Sequence, residues 1–296
     1  MDGMLVVDKP AGLTSFDVVR HVRRSLNERK VGHTGTLDPA ATGLLLVTLG
    51  QCTKLANYIA LEPKAYEFEI VLGSATTTCD DEGEIVETGA ADVPLADLRR
   101  AAAEFVGEIA QVPPRFSAVH VDGKRAYDLA RAGVEFELEP RRITVHRLEI
   151  HAINAGIARA EVECGSGTYV RSLARDLARA VGTVAHARGI RRTRIGSWTI
   201  DDATPLSEVE GDASRSVRVR TALEMVSRDL PSVALDEHAA RRVRNGNFVA
   251  ADRPPVEPSR FAALTFDGEL LAVAAVEATE SGFVFQPRRV LTSNSP

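Results

Sequence analysis

Apolar residues gather at Leu5 to Val7, a run short enough for a buried strand, and the Lys9-Pro10-Ala11-Gly12 that follows is turn chemistry. From Ser15, suited to an N-cap, Phe16, Val18, Val19, Val22 and Leu26 recur at helical spacing while Arg20, Arg23 and Arg24 fall off the stripe. This predicts an amphipathic helix. Gly32 to Gly43 holds three glycines and a proline, cannot be regular throughout, and runs into Leu44 to Leu49, a strand candidate. Cys52 to Ala60 reads as helical. Ala65 to Leu72 alternates Tyr66, Phe68 and Ile70 with Glu67 and Glu69, as a strand with one wet face does. The acidic Cys79-Asp80-Asp81-Glu82-Gly83-Glu84 reads as a turn or loop.

Helices are expected at Leu95 to Phe105 and Arg125 to Ala132, and strands at Ile143 to Ile150 and Ile157 to Cys164. The strongest helical pattern is Thr168 to Val181: Val170, Leu173, Leu177 and Val181 take the core side, and Arg171, Arg175 and Arg179 fall on a separate face. Strands and helices intermix without the regular alternation of a doubly wound sheet, so the fold class is α+β with a mixed sheet flanked by helices. After Leu230-Pro231 the pattern turns to short strands at Phe261 to Phe266, Leu270 to Val276 and Gly282 to Phe285. The expected organisation is one domain over 1–230 and a small β-rich one over 231–296.

Composition fits a globular protein, with 44% hydrophobic and 26% charged residues and no apolar run approaching the ~18 residues of a membrane helix. The N-terminus carries acid where a signal peptide carries base, so the cytoplasm is the expected location. Cys52, Cys79 and Cys164 are scattered and no metal-ligand spacing occurs, so neither a disulfide framework nor a metal is expected. The net charge of -5 argues mildly against a nucleic-acid partner, but its distribution changes the picture. Residues 141–200 hold eleven arginines, no lysine and four acids, a net +7 that leaves -12 for the rest of the chain. Such segregation suits either a polyanion footprint or a solvated basic face.

The most unusual stretch is Gly32-His33-Thr34-Gly35-Thr36-Leu37-Asp38-Pro39-Ala40-Ala41-Thr42-Gly43. A phosphate-loop reading fails, because no Lys-Ser/Thr follows the last glycine and no Gly-x-Gly-x-x-Gly is present. By pattern alone Asp38-Pro39 starts a turn. Tyr66 reads by default as a core residue with its hydroxyl at the rim. Arg171, in the first turn of its helix where the dipole disfavours cations, points to a specific anionic partner more than Arg175 or Arg179 does.

This loop resembles the Gly-His-Thr-Gly-x-Leu-Asp-Pro motif of the TruB family of pseudouridine synthases, whose aspartate is the nucleophile. Leu5 to Ser15, with Asp8-Lys9-Pro10 and Gly12-Leu13-Thr14-Ser15, resembles the family's opening motif, and Lys64-Ala65-Tyr66 the strand bearing its active-site tyrosine. Pro113-Pro114, Ser117-Ala118, Gly123 and Ala126-Tyr127 resemble further family positions, and Gly165-Ser166-Gly167-Thr168-Tyr169-Val170-Arg171 its Gly-Thr-Tyr-Ile/Val-Arg motif. The matches occur in family order from residue 5 to about 200. Departures are Thr36, where alanine is frequent, Thr77, where an acid is common, and His120, where lysine is usual, so no contact is carried over at these three positions.

The resemblance implies the pseudouridine synthase fold with a PUA-like C-terminal module, and cofactor-free isomerisation of uridine 55 in the T loop of tRNA. Asp38, Tyr66 and Arg171 are the implied catalytic residues: nucleophile, base-stacking group and candidate for the C5 proton transfer, and the cation that keeps the carboxylate ionised. His33 is the implied prop for the gap a flipped base leaves, and the family motif places Tyr169 in the active site as well. Lys9, Arg188, Arg191, Arg192 and Arg194 are expected to hold phosphates. Arg241, Arg242 and Arg244 suit either an acceptor-arm contact or a solvated helix end. The expected partner is tRNA through its T-arm stem-loop, with no membrane or metal, and the chain is read as a monomer. Two other readings stay open: a synthase of the related guide-RNA-dependent type, and a tRNA-folding chaperone.

Overall fold

The computed structural model describes residues 1–209, 217–251, 259–279 and 282–291. The chain divides into two units, the first made of residues 1–38, 45–60 and 201–296, the second of 39–44 and 61–200.

In the first unit β1 (Gly3–Lys9) lies between β14 (Thr204–Pro205), to which it runs parallel, and β3 (Thr42–Leu49), whose outer neighbour is β2 (Val31–His33). Helix α1 (Ser15–Ser25) covers this sheet. Its Val18, Val19 and Val22 are buried with Leu5, Val7, Leu45, Val47, Leu206 and Val209, so the apolar stripe read from the sequence is the core face. The cap is one residue earlier than expected. Thr14, not Ser15, accepts the Asp17 N–H, and Asp17 returns a bond to the Thr14 N–H, a complete capping box. Cys52 to Ala60 forms two 3₁₀ turns, Gly50–Lys54 and Ala56–Tyr58, in place of the expected helix.

The same unit holds a five-stranded sheet in the order β15 (Ser232–Ala234), β17 (Phe261–Phe266), β18 (Glu269–Thr279), β19 (Gly282–Val290), β16 (Val249–Ala251). Helix α7 (Glu237–Arg244) closes its core through Ala240 and Val243, packed with Leu264, Ala272 and Phe285. This is the β-rich C-terminal fold expected from the short strands.

The second unit is built on a mixed sheet. The start of β3 runs parallel to β12 (Ala185–Ile195), and the order continues through β4 (Lys64–Leu72), β11 (Ile157–Cys164), β10 (Arg141–Asn154) and β7 (Gly107–Gln111), all antiparallel. Helix α4 (Val170–Ala180) packs on β12, and α2 (Leu95–Glu104) on β10. Strand β12 is central, yet its sequence, Ala-His-Ala-Arg-Gly-Ile-Arg-Arg-Thr-Arg-Ile, shows no clean apolar alternation and reads as a basic segment. Register shifts after Arg188 and Arg192 break the period of two that a strand reading needs.

At the β3–β12 seam Gly43 has φ +99°, and a Cβ there would stand 2.3 Å from Arg192 O and 2.8 Å from Arg192 N. Gly43→Ala therefore combines left-handed strain with a backbone clash, and is expected to cost about 2–5 kcal/mol. Urea unfolding midpoints test this; a loss below ~1 kcal/mol would mean that the seam yields without cost.

Candidate functional site

In the first unit the loop after β2 is pinned at both ends. The Thr34 N–H bonds Leu46 O at 3.0 Å. The buried Ser15 hydroxyl, at the start of α1, accepts the Leu37 N–H at 2.8 Å and lies 3.2 Å from Leu37 O. Leu37 is buried, which leaves Asp38 half-buried on the next residue, with its backbone fixed from the side of α1. The sequence offered Ser15 as a cap; the fold uses it as a clamp on the residue before the candidate nucleophile. Gly35, at φ +91°, allows the reversal between the two anchors.

His33 is half-buried at the end of β2. Lys9 is 0% exposed, and its ammonium donates to Pro10 O at 2.9 Å and Leu13 O at 2.6 Å. So enclosed, the ammonium ties the turn after β1 and is shut off from a phosphate in solvent, which corrects the expected role.

The second unit holds Tyr66, Tyr169, Arg171 and Arg192. Tyr66 sits on the buried face of β4 with Phe68 and Ile70, opposite Arg192 of β12. Arg192 is 1% exposed, lies opposite Tyr66 in the strand register and donates from Nε to Leu44 O at 2.8 Å. Burial pushes its pKa down, and the contact with Tyr66 opposes that. Lys64, two residues before Tyr66, is likewise lowered, first by burial and then by the nearby Arg192 charge. A guanidinium with that burial makes no phosphate contact, so Arg192 also departs from its expected role.

Arg171 is buried at the start of α4. Its Nη1 donates to Thr78 O at 2.8 Å, its Nη2 to Phe116 O at 3.0 Å, and the Asp80 carboxylate lies 3.5 Å from Nη1. Asp80, 5% exposed, also takes bonds from the Thr78 hydroxyl and, at 3.2 Å, from the Glu82 N–H. Asp80 is therefore an anionic partner of the kind the helix dipole called for, in a segment that read only as an acidic turn. Tyr169 is the N-terminal flank of α4, and Gln111 of β7 clamps its backbone on both sides, accepting its N–H at 2.9 Å and donating to its O at 3.1 Å. Nothing in the sequence around Gln111 marks it; a buried amide 58 residues away becomes visible only once β7 meets α4.

The other basic candidates line the wet face of the sheet. Arg188 pairs with Glu69 at 2.7 Å, Arg194 with Glu163 at 3.3 Å, and Arg191 lies 3.5 Å from the Thr42 hydroxyl. Cross-strand glutamates thus neutralise part of the charge that the sequence segregates. Among the described residues no group of three or more His, Cys, Asp or Glu is arranged to hold a metal ion, and no helix is long and apolar enough to cross a membrane. The three cysteines are free thiols; burial raises all three, Cys52 to about 12 and Cys164 to about 11.

Residues 23–170 match the model of the TruB family pseudouridylate synthase (N terminal domain). A tRNA pseudouridine synthase B of Ruegeria sp. (strain TM1040) is 41% identical over 99% of this chain and 97% of its own. That of Thermobifida fusca (strain YX) is 42% identical over 92% and 94%, and that of Symbiobacterium thermophilum 46% over 83% and 82%. Among solved structures, a Cbf5-Nop10-Gar1 complex matches 97% of this chain and 84% of the matched chain with a TM-score of 0.72 at 26% identity. An H/ACA RNP bound to a substrate RNA containing 2'-deoxyuridine matches in fold, with a TM-score of 0.73 over 98% and 85% at 24% identity.

Proposed function

The chain belongs to the TruB family of pseudouridylate synthases and is an isomerase acting on tRNA; we propose that its target is uridine 55 of the T loop, with Asp38 as nucleophile. The observation that carries this reading is likeness to tRNA pseudouridine synthases at 41–46% identity over 83–99% of this chain and 82–97% of theirs.

The reaction cleaves the N1–C1′ bond, turns the uracil and joins C5 to C1′, with no change in oxidation state and no second substrate. A carboxylate can carry the covalent step, as in retaining glycosidases. Asp38, half-buried on a clamped backbone, suits a group that must be fixed yet reachable. Arg171 supplies a fixed positive charge that keeps a carboxylate ionised once substrate excludes water. Tyr66 stacks on the extruded base and takes part in the C5 proton transfer. His33 fills the space the base leaves, and Tyr169 lies in the active site as well. The RNA-binding arginines are those with accessible guanidinium groups, Arg188, Arg191 and Arg194, which exchange glutamate or hydroxyl partners for phosphates. Residues 1–230 form the catalytic domain and 231–296 a PUA-like RNA-binding module; the enzyme works as a cytoplasmic monomer on the T-arm stem-loop.

Incubation with an unmodified tRNA transcript and no guide RNA, followed by carbodiimide mapping, is expected to give one pseudouridine at position 55. A product only when guide RNA is added, or none at all, would overturn the reading. Affinity for tRNA should fall roughly ten- to a hundredfold between 50 and 200 mM salt, as expected for about two to four neutralised phosphates. Filter binding across that range tests it, and a flat response would remove the phosphate contacts.

A further inference from the structure

We propose that Gln111 is a positioning residue for Tyr169: its side-chain amide, standing in for a local cap, sets the residue at which α4 begins and so where the Tyr169 ring is held for the reaction. This rests on the reading above, which puts Tyr169 in the active site, and gives a catalytic consequence to a contact that no motif marked.

By local rules the start of α4 is poorly specified. An aromatic residue holds the N-cap position and its side chain makes no capping bond, the first turn carries no acid, and the neighbouring Thr168 hydroxyl donates back to Gly165 O at 3.0 Å. Arg171 in that turn works against the helix dipole. Gln111 supplies what is missing from 58 residues away. Its Oε1 accepts the Tyr169 N–H at 2.9 Å and its Nε2 donates to Tyr169 O at 3.1 Å, so one amide takes both backbone groups of one residue. Such a pairing demands extended backbone. A residue presents its N–H and C=O to one partner as in the hydrogen-bonded pair of antiparallel strands, whereas a helix points them in opposite directions along its axis. Tyr169 has φ -104° and ψ 109°, and its carbonyl also accepts the Leu173 N–H at 3.1 Å, the first bond of the helix. Gln111 thus keeps Tyr169 out of the helix while the helix starts from it.

The base of this clamp is rigid. Gln111 is 2% exposed and ends β7, its backbone in register with Arg141 of β10. The next carbonyl, Val112 O, takes the Ser172 hydroxyl at 2.9 Å and Arg175 Nη2 at 2.8 Å, so the same strand end fastens the first two turns of α4. A side chain so enclosed meets no RNA, and what it does for the reaction it does through Tyr169. Loss of both bonds frees the Tyr169 backbone to join the helix or to swing away from it. A misplacement of about 1 Å in an active-site group is enough to cost roughly a hundredfold in rate.

A double-mutant cycle on the full chain tests this, read in single turnovers at saturating tRNA and, separately, in urea unfolding. Gln111→Met keeps the length of the side chain and makes neither bond. It is expected to slow conversion about ten- to a hundredfold while tRNA affinity stays within about threefold. Tyr169→Ala removes the ring but leaves the backbone groups that Gln111 holds. In that background Gln111→Met should slow turnover by less than about twofold, yet lower the urea midpoint as much as it does in the wild type. A merely structural amide would not give that split. Gln111→Asn, which keeps the amide but draws it back by one methylene, should fall between, and it takes the place of Gln111→Met in the cycle if that variant does not fold. Equal slowing in both backgrounds, or full turnover by folded Gln111→Met, would make Gln111 a structural residue and overturn the proposal. Full turnover by Tyr169→Ala would overturn it as well, by removing Tyr169 from the active site, and that single variant shows the difference. Wild-type protein that forms no pseudouridine would sink the functional reading and the proposal with it.

Discussion

Asp38→Ala and Asp38→Asn are expected to abolish pseudouridine formation, at least 10⁴-fold in single turnovers, while tRNA affinity stays within about tenfold, or ~1.4 kcal/mol. The split follows from what a nucleophile contributes. Its bond to the substrate exists only along the reaction coordinate, so its removal is felt in the rate and hardly in ground-state binding, which rests on loop shape and backbone phosphates. The structure adds a reason to expect the variants to fold. Asp38 is half-buried, and the clamp on the loop acts on Leu37 through Ser15. Quantified pseudouridine together with filter binding provides the check. Product from Asp38→Ala above the no-enzyme background would remove the nucleophile assignment, whereas a hundredfold loss of affinity would make Asp38 a binding group.

What the sequence disclosed and what it withheld divide along a physical line. Local signals were legible: the α1 stripe at Val18, Val19 and Val22, the alternation of β4 around Tyr66, the helix after Tyr169 and the loop carrying Asp38 all report a period or a backbone demand within a dozen residues. The hidden parts depend on partners far apart in sequence. Strand β12 is stabilised by β3 and β4 on its two sides and needs no apolar alternation of its own, so its arginines read as an exposed run although Arg192 lies in the interior. Asp80 and Ser15 carry ordinary loop and cap signatures and Gln111 carries none, and their roles arise 91, 22 and 58 residues away, at Arg171, Leu37 and Tyr169. Charge segregation by itself overcounts the open positive charge, since it counts arginines without their glutamate partners at positions 69 and 163.

Arg171 joins three segments at one buried point, and the second large effect is expected there. Its two terminal nitrogens hold Thr78 O, Phe116 O and the Asp80 carboxylate, which fixes the loop after β5 (Ser74–Thr76) and the stretch after Pro114 against the start of α4. Lysine keeps the charge but is a single point with no planar fork, so it cannot serve two carbonyls and a carboxylate in different directions. Arg171→Lys is expected to slow single-turnover isomerisation at least a hundredfold. Arg171→Ala should be slower still and should lose about 3–5 kcal/mol of stability, because it strands Asp80 at 5% exposure without its cation. Much of that loss belongs to the orphaned carboxylate rather than to the arginine itself. Adding Asp80→Asn to Arg171→Ala should therefore recover stability, with a coupling of about 1–3 kcal/mol in a double-mutant cycle read by urea unfolding. Catalysis should not recover in the double variant, since the fixed cation stays absent while the fold is repaired. Additive stability losses would show that Asp80 and Arg171 do not act as a pair, and full activity in Arg171→Lys would show that charge alone, without the three-way anchorage, is what the reaction needs.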